Sequence, residues 1–168
     1  MVLVRPASSA DLPSIAAIYD VEVRTGISTF ATEPPGVDYW SDRLTSTQPG
    51  DHLLVADHDG EVVGYAYSGG YRPRAAYAQT REASVYLAAT ARGRGVGRAL
   101  YDELIGLMRA DGVRLVVAVI ALPNPGSRSL HRACGFEPVG VLHDVGRKFG
   151  TWIDTELWEL RLATTGGR

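Results

Sequence analysis

A glycine-rich turn between a predicted strand and a predicted helix constrains this chain most. The segment reads Arg-Gly-Arg-Gly-Val-Gly-Arg over residues 92–98, after the β-like run 84–87 and at the start of an amphipathic pattern. Glycines let the backbone N–H groups of such a turn approach a phosphate, and the N-terminus of the following helix adds the positive end of its dipole. Because three arginines add fixed charge, the segment predicts a site for a pyrophosphate-bearing ligand.

Two common phosphate-binding motifs do not fit this turn. A dinucleotide-binding fold has its glycine motif in the first strand–helix–strand unit and an acidic residue at the end of the next strand. Here the glycines come past mid-chain, behind an antiparallel hairpin, and the next strand ends at Leu122-Pro123 without an acid. A nucleoside-triphosphate loop requires Gly-Lys followed by Ser or Thr, which the segment lacks. The ligand is therefore expected to be another kind of pyrophosphate compound.

Hydrophobic periodicity and turn residues predict a mixed α/β chain without a linker. Strands are expected near 2–5, 53–56, 62–67, 82–87, 113–120, 137–146 and 151–162. Helical patterns run from a Ser8-Ser9 cap through Tyr19, over 38–45, over 96–108 and over 127–133. The largely apolar stretch 113–120 predicts a strand covered on both faces. We expect one domain over 1–163 and a flexible tail over 164–168.

Composition excludes several classes of partner and site. A net charge of −2 gives no bulk attraction to nucleic acid or to a membrane surface. The longest apolar run, 115–122, is far too short to cross a bilayer, and the N-terminus lacks a signal-peptide pattern. A single cysteine, Cys134, excludes an internal disulfide and favours a reducing compartment. We therefore expect a cytoplasmic protein, and no metal, since the histidines show no metal-ligand spacing.

The turn and the rest of the chain together resemble the GNAT superfamily of N-acetyltransferases. Residues 92–97 match the R/Q-x-x-G-x-G/A loop that holds the pyrophosphate of acetyl-CoA in that family. Further likeness lies in Thr29-Phe30, Thr32-Glu33-Pro34, Tyr77, Glu82-x-Ser84-Val85-Tyr86, 117–124, Ser127-x-x-Leu130-His131 and Lys148-x-x-x-Trp152-x-Asp154. These segments are similar to the phosphinothricin and methionine sulfoximine acetyltransferase subgroup. The resemblance covers essentially the whole chain. It implies an α/β (α+β) fold, a mostly antiparallel sheet of about seven strands flanked by helices, with two strands splayed apart at the cofactor site.

The resemblance also implies how acetyl-CoA is held. Main-chain groups of Val85, Tyr86 and Leu87 are expected to pair with the pantetheine arm at the splayed strands. The pyrophosphate is expected to be held by the loop residues Gly93, Arg94, Gly95, Val96, Gly97 and Arg98. Asn124 and Ser127 are expected to contact the pantetheine end of the cofactor.

Two side chains are candidate catalytic groups under the same resemblance. Glu82 matches the position linked to activation of the substrate amine, because a carboxylate can accept the proton that an ammonium loses before it attacks a thioester. The alternative is a strand carboxylate paired with Arg81 or another cation. Many relatives use a tyrosine as the acid that protonates the thiolate, whereas this chain has His131 seven residues after Asn124. His131 is either that proton donor or a histidine satisfied by a neighbouring backbone group, and a Cys134–His131 dyad is a third reading.

The acceptor is expected at a loop that contains Arg72, Pro73 and Arg74, which match the substrate-lining loop of the subgroup. Guanidinium groups here would bind a carboxylate in bidentate fashion, or else they are exposed loop charges. The resemblance implies acetyl transfer to the α-amine of a small amino acid or analogue such as phosphinothricin, methionine sulfoximine or methionine sulfone. Alternatives are a polyamine, an antibiotic or a protein N-terminus as acceptor, and a non-catalytic regulator that binds acetyl-CoA. The subgroup also implies a homodimer, with the late strands and the 28–36 loop near the partner.

Overall fold

The protein folds around one open sheet of seven strands, described for residues 1–162 by a computed structural model. The strands are β1 (Val2–Pro6), β2 (Leu53–His58), β3 (Glu61–Gly70), β4 (Thr80–Leu87), β5 (Leu115–Ala121), β6 (Glu137–Lys148) and β7 (Thr151–Arg161). The α-helices are α1 (Leu12–Thr25), α2 (Asp38–Leu44), α3 (Val96–Ala110) and α4 (Pro125–Ala133). The predicted tail over 164–168, and residue 163 of the predicted domain, lie outside the described residues.

The sheet has a gap in its middle, between the two parallel strands β4 and β5. The strand order is β1-β2-β3-β4-β5-β7-β6, and every neighbouring pair is antiparallel except β4 and β5. These two parallel strands pair only where Thr80–Glu82 meets Leu115–Val117, and beyond that point they separate. The mixed, mostly antiparallel seven-strand sheet with a splayed pair is therefore confirmed.

Two hydrophobic cores cover the two faces of the sheet. Successive side chains of a strand point to opposite faces, so Leu54 joins the core under α3 while Val55 joins the core under α1 and α2. Amphipathic helices supply the rest of each core, for example Leu104 of α3 on one side and Trp40 of α2 on the other. Residues of both separated strands belong to these cores, for example Ala83 of β4 and Ile120 of β5. No helix within residues 1–162 is long and apolar enough to cross a membrane.

The strand predicted over 113–120 differs from the prediction in one respect. It is β5, Leu115–Ala121, and most of its side chains are buried on both faces as expected. Val119, however, is 45% exposed and lines the space left between β4 and β5. The expectation of complete coverage was therefore wrong at Val119, because the sheet opens there.

Candidate active site

A cleft of about 900 Å³ opens where β4 and β5 separate. Its walls come from the end of α1 and the segment behind it, the separated halves of both strands, the glycine-rich turn with α3, and the start of α4. The volume is typical of a pocket that encloses a sizeable small-molecule ligand. Beyond Glu82, β4 has no partner strand on the side of β5, so an extended ligand that carries amide groups can add there like a further strand.

The glycine-rich turn closes one end of the cleft. Gly93 and Gly95 have φ angles of +71° and +80°, which side-chain-bearing residues rarely adopt, and Gly95 is the N-cap of α3. A β-carbon at either position would meet no atom within 4 Å, so both glycines leave open space at the start of this helix. The first N–H groups of a helix have no intrahelical partner and attract anions. The turn therefore fits a pyrophosphate group.

Gly97 has a different role in the same turn. A β-carbon there would lie 3.0 Å from Cδ2 of Leu130, so this glycine lets α3 pack closely against α4.

Two of the three arginines of the turn already have acidic partners: Arg98 Nε lies 2.9 Å from Asp102, and Arg92 Nη2 lies 3.6 Å from Glu22.

The structure brings most of the predicted acetyl-CoA contacts together. The predicted residues that line the cleft are Val85, Tyr86, Leu87, Gly93, Gly95, Val96, Gly97, Arg98, Asn124 and Ser127. Arg94 is exposed and does not line the cleft. Asn124 caps α4, because its Oδ1 accepts a hydrogen bond from the Ser127 backbone N–H at 3.0 Å.

The segment behind α1 forms a wall of the cleft that the sequence did not indicate. Residues 26–28 line the cleft. The Ser28 hydroxyl accepts a hydrogen bond from Asn124 Nδ2 at 3.3 Å, and the Ser28 carbonyl accepts one from the Tyr86 hydroxyl at 3.4 Å. The segment thus contacts both β4 and α4 across the cleft. Its sequence carries no motif, so only the tertiary packing identifies it.

Glu82 occupies the last paired position of β4 before the strands separate. It lies opposite Gly69 of β3 and Val117 of β5, and the next two residues, 83–84, line the cleft. Burial raises the pKa of the half-buried Glu82 carboxyl, and the positive charge of Arg43 acts in the opposite direction. Glu82 itself does not line the cleft. A carboxylate with a raised pKa directly beside the lining residues is well suited to accept a proton.

The alternative of an ion pair between Glu82 and Arg81 does not fit the structure. Arg81 is buried, and its Nε lies 3.0 Å from a carboxylate oxygen of Asp51 and donates to the Pro49 carbonyl at 3.0 Å. Neighbouring residues of a strand face opposite sides of the sheet, so Arg81 points away from Glu82. Among residues 1–162, Glu82 forms no ion pair.

His131 of α4 is buried at the floor of the cleft with both ring nitrogens engaged. Nδ1 lies 2.7 Å from the Ser127 carbonyl oxygen, which can only accept, so the neutral ring carries its proton on Nδ1. Nε2 then accepts a hydrogen bond from the Tyr101 hydroxyl at 3.0 Å. Burial lowers the pKa of the His131 ring, which keeps it neutral at pH 7. These contacts favour a structural role over that of a proton donor.

We expect His131→Phe to destabilise the protein without removing the high-pH limb of its rate profile. Phenylalanine suits the neighbouring rings of Phe136 and Trp158 but leaves the buried Tyr101 hydroxyl without its acceptor, at a cost of about 1–3 kcal/mol. The folded ring has a lowered pKa, so the unfolded chain binds a proton more readily, and wild-type stability falls as the pH drops below 6.5. The variant lacks this contribution. Thermal unfolding between about pH 5 and 9 tests the predicted loss of stability, and kcat over the same range tests whether the high-pH limb is retained. Loss of the high-pH limb would instead make His131 the acid.

The predicted acceptor residues lie at the surface, outside the cleft. Arg72, Pro73 and Arg74 are exposed, and they follow the end of β3 just before the short turn Ala75–Tyr77. The Arg72 guanidinium rests over the ring of Tyr71, 5.0 Å from its centroid. The loop leaves the sheet beyond Gly69, the partner of Glu82, and so lies at the same end of the molecule. Its contact with an acceptor stays a prediction.

Two other kinds of site find little support in the structure. Burial raises the pKa of the Cys134 thiol to about 11, so the thiolate that a Cys–His dyad needs is scarce at neutral pH. Within the described residues 1–162, no three His, Cys, Asp or Glu side chains group in a way that could hold a metal ion.

Comparisons with known proteins agree with the geometry of the cleft. The sequence matches the acetyltransferase (GNAT) domain family over residues 4–158. It is 45% identical to a phosphinothricin N-acetyltransferase of Alcaligenes faecalis, over 93% of this chain and 80% of that protein. It is 40% identical to an L-methionine sulfoximine/L-methionine sulfone acetyltransferase of Pseudomonas aeruginosa, over 96% of this chain and 95% of the relative. The crystal structure of a phosphinothricin acetyltransferase from Sinorhizobium meliloti in complex with AcCoA superposes with a TM-score of 0.92 at 40% identity, covering 99% of this chain and 92% of that one.

Proposed function

The chain belongs to the GNAT family of acetyl-CoA-dependent N-acetyltransferases, and we propose that it acetylates the α-amine of a small amino acid or a close analogue. One observation carries this proposal: a half-buried carboxylate, Glu82, directly precedes the strand residues that line a cleft, and a glycine turn at a helix N-terminus closes one end of that cleft. The relatives named for phosphinothricin, methionine sulfoximine and methionine sulfone support acceptors of that kind.

We propose that the lining of the cleft holds acetyl-CoA along its length. Backbone N–H groups of residues 93–98 bind the pyrophosphate, with the arginines of the turn adding charge. Backbone groups of residues 85–87 pair with the pantetheine amides along the unpartnered edge of β4. Asn124 and Ser127, at the start of α4, contact the pantetheine end of the cofactor. The open space at the turn and the missing partner strand support these assignments.

Glu82 is the residue we assign to proton transfer. Acetyl-CoA supplies an acetyl thioester at the point where the strands separate. The Glu82 carboxylate accepts a proton from the acceptor ammonium, directly or through one water, and so frees the nitrogen lone pair for attack. A backbone N–H on the open edge of β4 would donate to the thioester carbonyl oxygen as negative charge develops there. Collapse of the tetrahedral intermediate would break the C–S bond and release CoA as a thiolate, which takes up a proton from solvent, while the nitrogen gives up its second proton and becomes the amide nitrogen. His131 holds α4 against α3 and keeps Ser127 in place.

A panel of amines tests the proposed acceptor class. With saturating acetyl-CoA and free-thiol detection, we expect kcat/KM to be highest for L-phosphinothricin, L-methionine sulfoximine or L-methionine sulfone. The panel includes a polyamine, an aminoglycoside and a peptide with a free N-terminus. A higher kcat/KM for any of these three would overturn the acceptor class. Tight binding of acetyl-CoA without turnover on every amine would show a regulator.

We further propose that the protein forms a homodimer through β6. This strand lies at the edge of the sheet, and its large apolar side chains are exposed, among them Val139 at 61% and Leu142 at 50%. Exposed apolar edge strands are prone to pair with another chain. Phe30 packs against Gly146 of β6, so the 28–36 loop lies beside the same edge. Light scattering should give the mass of two chains, and a monomer mass at micromolar concentration would contradict the dimer.

We also propose a cytoplasmic location and no nucleic-acid or membrane partner. The small negative net charge and the single cysteine support this. Fractionation of the producing cell, with the protein recovered in the cytosol, is the expected result, and recovery with membranes or nucleic acid would contradict it.

A further inference from the structure

An arginine that no sequence motif contains lies beside Glu82. Arg43 belongs to the last turn of α2, and a β-carbon built on Gly69 would lie 3.4 Å from its Nη1. Gly69 is the cross-strand partner of Glu82. Paired residues of an antiparallel ladder project to the same face of the sheet. The guanidinium of Arg43 and the carboxylate of Glu82 therefore share one face of the sheet.

Aromatic rings hold this guanidinium in a fixed orientation. Its central carbon lies 4.3 Å from the ring centroid of Tyr67 and 4.6 Å from that of Tyr39, and Nη2 donates a hydrogen bond to the Tyr39 hydroxyl. Nε is buried without a hydrogen-bond partner among residues 1–162. Stacked guanidinium groups are suited to planar, bidentate recognition of carboxylates. Nη2 is engaged by Tyr39, and Nη1 lies on the side of Gly69, the cross-strand partner of Glu82.

The guanidinium of Arg43 forms no ion pair in the described part of the chain, although its charge acts on the Glu82 carboxyl. Other half-buried or buried arginines are paired: Arg81 with Asp51 at 3.0 Å and Arg5 with Asp11 at 2.8 Å. Arg43 is half-buried but forms no ion pair within residues 1–162. Partial burial of an unpaired charge costs free energy, which a bound anion would recover.

A groove of about 290 Å³ gives this arginine access to a ligand. Arg43 and Gly69 line it, together with the acids Asp42 and Asp51. Asp51 is already engaged by Arg81, and Asp42 is exposed. Glu82 lines neither space but lies between them, since the next two residues of its strand, 83–84, line the cleft and its cross-strand partner Gly69 lines the groove.

We infer that Arg43 binds the carboxylate of the acceptor amino acid while Glu82 faces its ammonium group. The inference rests on the proposed function and deepens it, because it names the residue that selects α-amino acids. The ammonium and carboxylate groups of an α-amino acid are bonded to the same carbon. A guanidinium that lies beside a carboxylate can therefore bind the carboxylate of the acceptor while the protein carboxylate faces its ammonium. A polyamine or a decarboxylated analogue leaves Arg43 unpaired. This assignment differs from the one that the sequence suggested, in which exposed Arg72 or Arg74 holds the carboxylate.

Matched acceptors and matched variants test the assignment. L-methionine sulfone is compared with 3-(methylsulfonyl)propylamine, the same molecule without its carboxylate, at saturating acetyl-CoA. Arg43→Gln should raise KM for the amino acid by about ten-fold or more, the effect of losing a charged hydrogen-bonded pair, and should raise KM for the amine much less. Arg43→Lys keeps the charge but loses the planar fork and should fall between. Arg72→Gln and Arg74→Gln should change the ratio of the two KM values less than Arg43→Gln does. Arg109→Gln, at an exposed position of α3, is the control for replacing an arginine by glutamine and should leave the ratio of the two KM values unchanged.

The outcomes separate this inference from the acceptor proposal. An equal change of KM for both acceptors in Arg43→Gln, or a ten-fold change confined to Arg72→Gln or Arg74→Gln, would overturn the role of Arg43. Calorimetric titration with acetyl-CoA shows whether each variant is folded. If Arg43→Gln does not fold, a wild-type KM ratio in Arg43→Lys overturns the role instead. A wild-type enzyme that acetylates the amine but not the amino acid would overturn the proposed acceptor, and this inference with it.

Discussion

Glu82→Gln should lower kcat/KM by ~10²–10⁴, the range expected when a general base is removed. Glutamine keeps the size and burial of the side chain but cannot accept the proton of the acceptor ammonium. Exposed Glu103→Gln on α3 makes the same chemical change away from the cleft and should leave kcat/KM near the wild-type value. Thiol release from acetyl-CoA with L-methionine sulfone measures both variants.

The loss should shrink as the pH rises. Burial raises the pKa of Glu82 above its ordinary 4.5, so the wild-type enzyme loses its base as the pH falls through that raised value. Above it, the carboxylate can deprotonate the ammonium even where free amine is scarce. The variant depends on free amine alone, and the fraction of free amine increases with pH. A wild-type to variant ratio that stays constant between about pH 6 and 9 would argue against a general base.

Gly95→Val should weaken acetyl-CoA binding by about 100-fold, because the new side chain fills the space that the pyrophosphate needs and displaces two or more charged hydrogen bonds. Gly95 lies at the N-terminus of the 15-residue helix α3, and a β-carbon built on it would meet no other atom within 4 Å. Calorimetric titration with acetyl-CoA gives the change in Kd.

The other end of the same helix supplies the control. Gly112 also has a φ of +80° and open space at its β-carbon position, but it follows the C-terminus of α3. Gly112→Val therefore carries a similar backbone strain, about 1–2 kcal/mol, away from the cleft. Equal losses of acetyl-CoA affinity in the two variants would mean that the effect is strain alone, and the pyrophosphate assignment would fail.

Local signals explain why so much of the fold was predictable. The Asp59-Gly60 turn and the glycine after α3 each determine the backbone over a few residues, so element types and order could be predicted without tertiary information. The predicted Ser8-Ser9 cap of α1 was wrong in detail: Ser8 caps the short 3-10 turn Ser9–Asp11, and Asp11 precedes the first residue of α1. The loop over 92–98 combines glycines, arginines and a helix start within seven residues. Because this signal is also local, it predicted a pyrophosphate-bearing ligand without tertiary information.

Features that depend on packing between distant segments could not be predicted. Val119 is exposed because β5 separates from β4, and the apolar pattern of β5 alone is the same as that of a fully covered strand. Residues 26–28 join the cleft only because α1 ends beside it. Arg43 reaches Gly69 through the packing of α2 on β3, and nothing in its local sequence distinguishes it from a surface arginine.

The most direct measurement is the position of the transferred acetyl group on L-methionine sulfoximine, which carries both an α-amine and a sulfoximine nitrogen. The purified protein, acetyl-CoA and this acceptor are mixed at about pH 7.5, and the product is assigned by NMR while free thiol is counted. We expect one acetyl group on the α-nitrogen for each thiol released, with the rate strongly reduced in Glu82→Gln. Acetylation at the sulfoximine nitrogen, or thiol release that does not depend on the acceptor, would contradict acetyl transfer to the α-amine of an amino acid at Glu82.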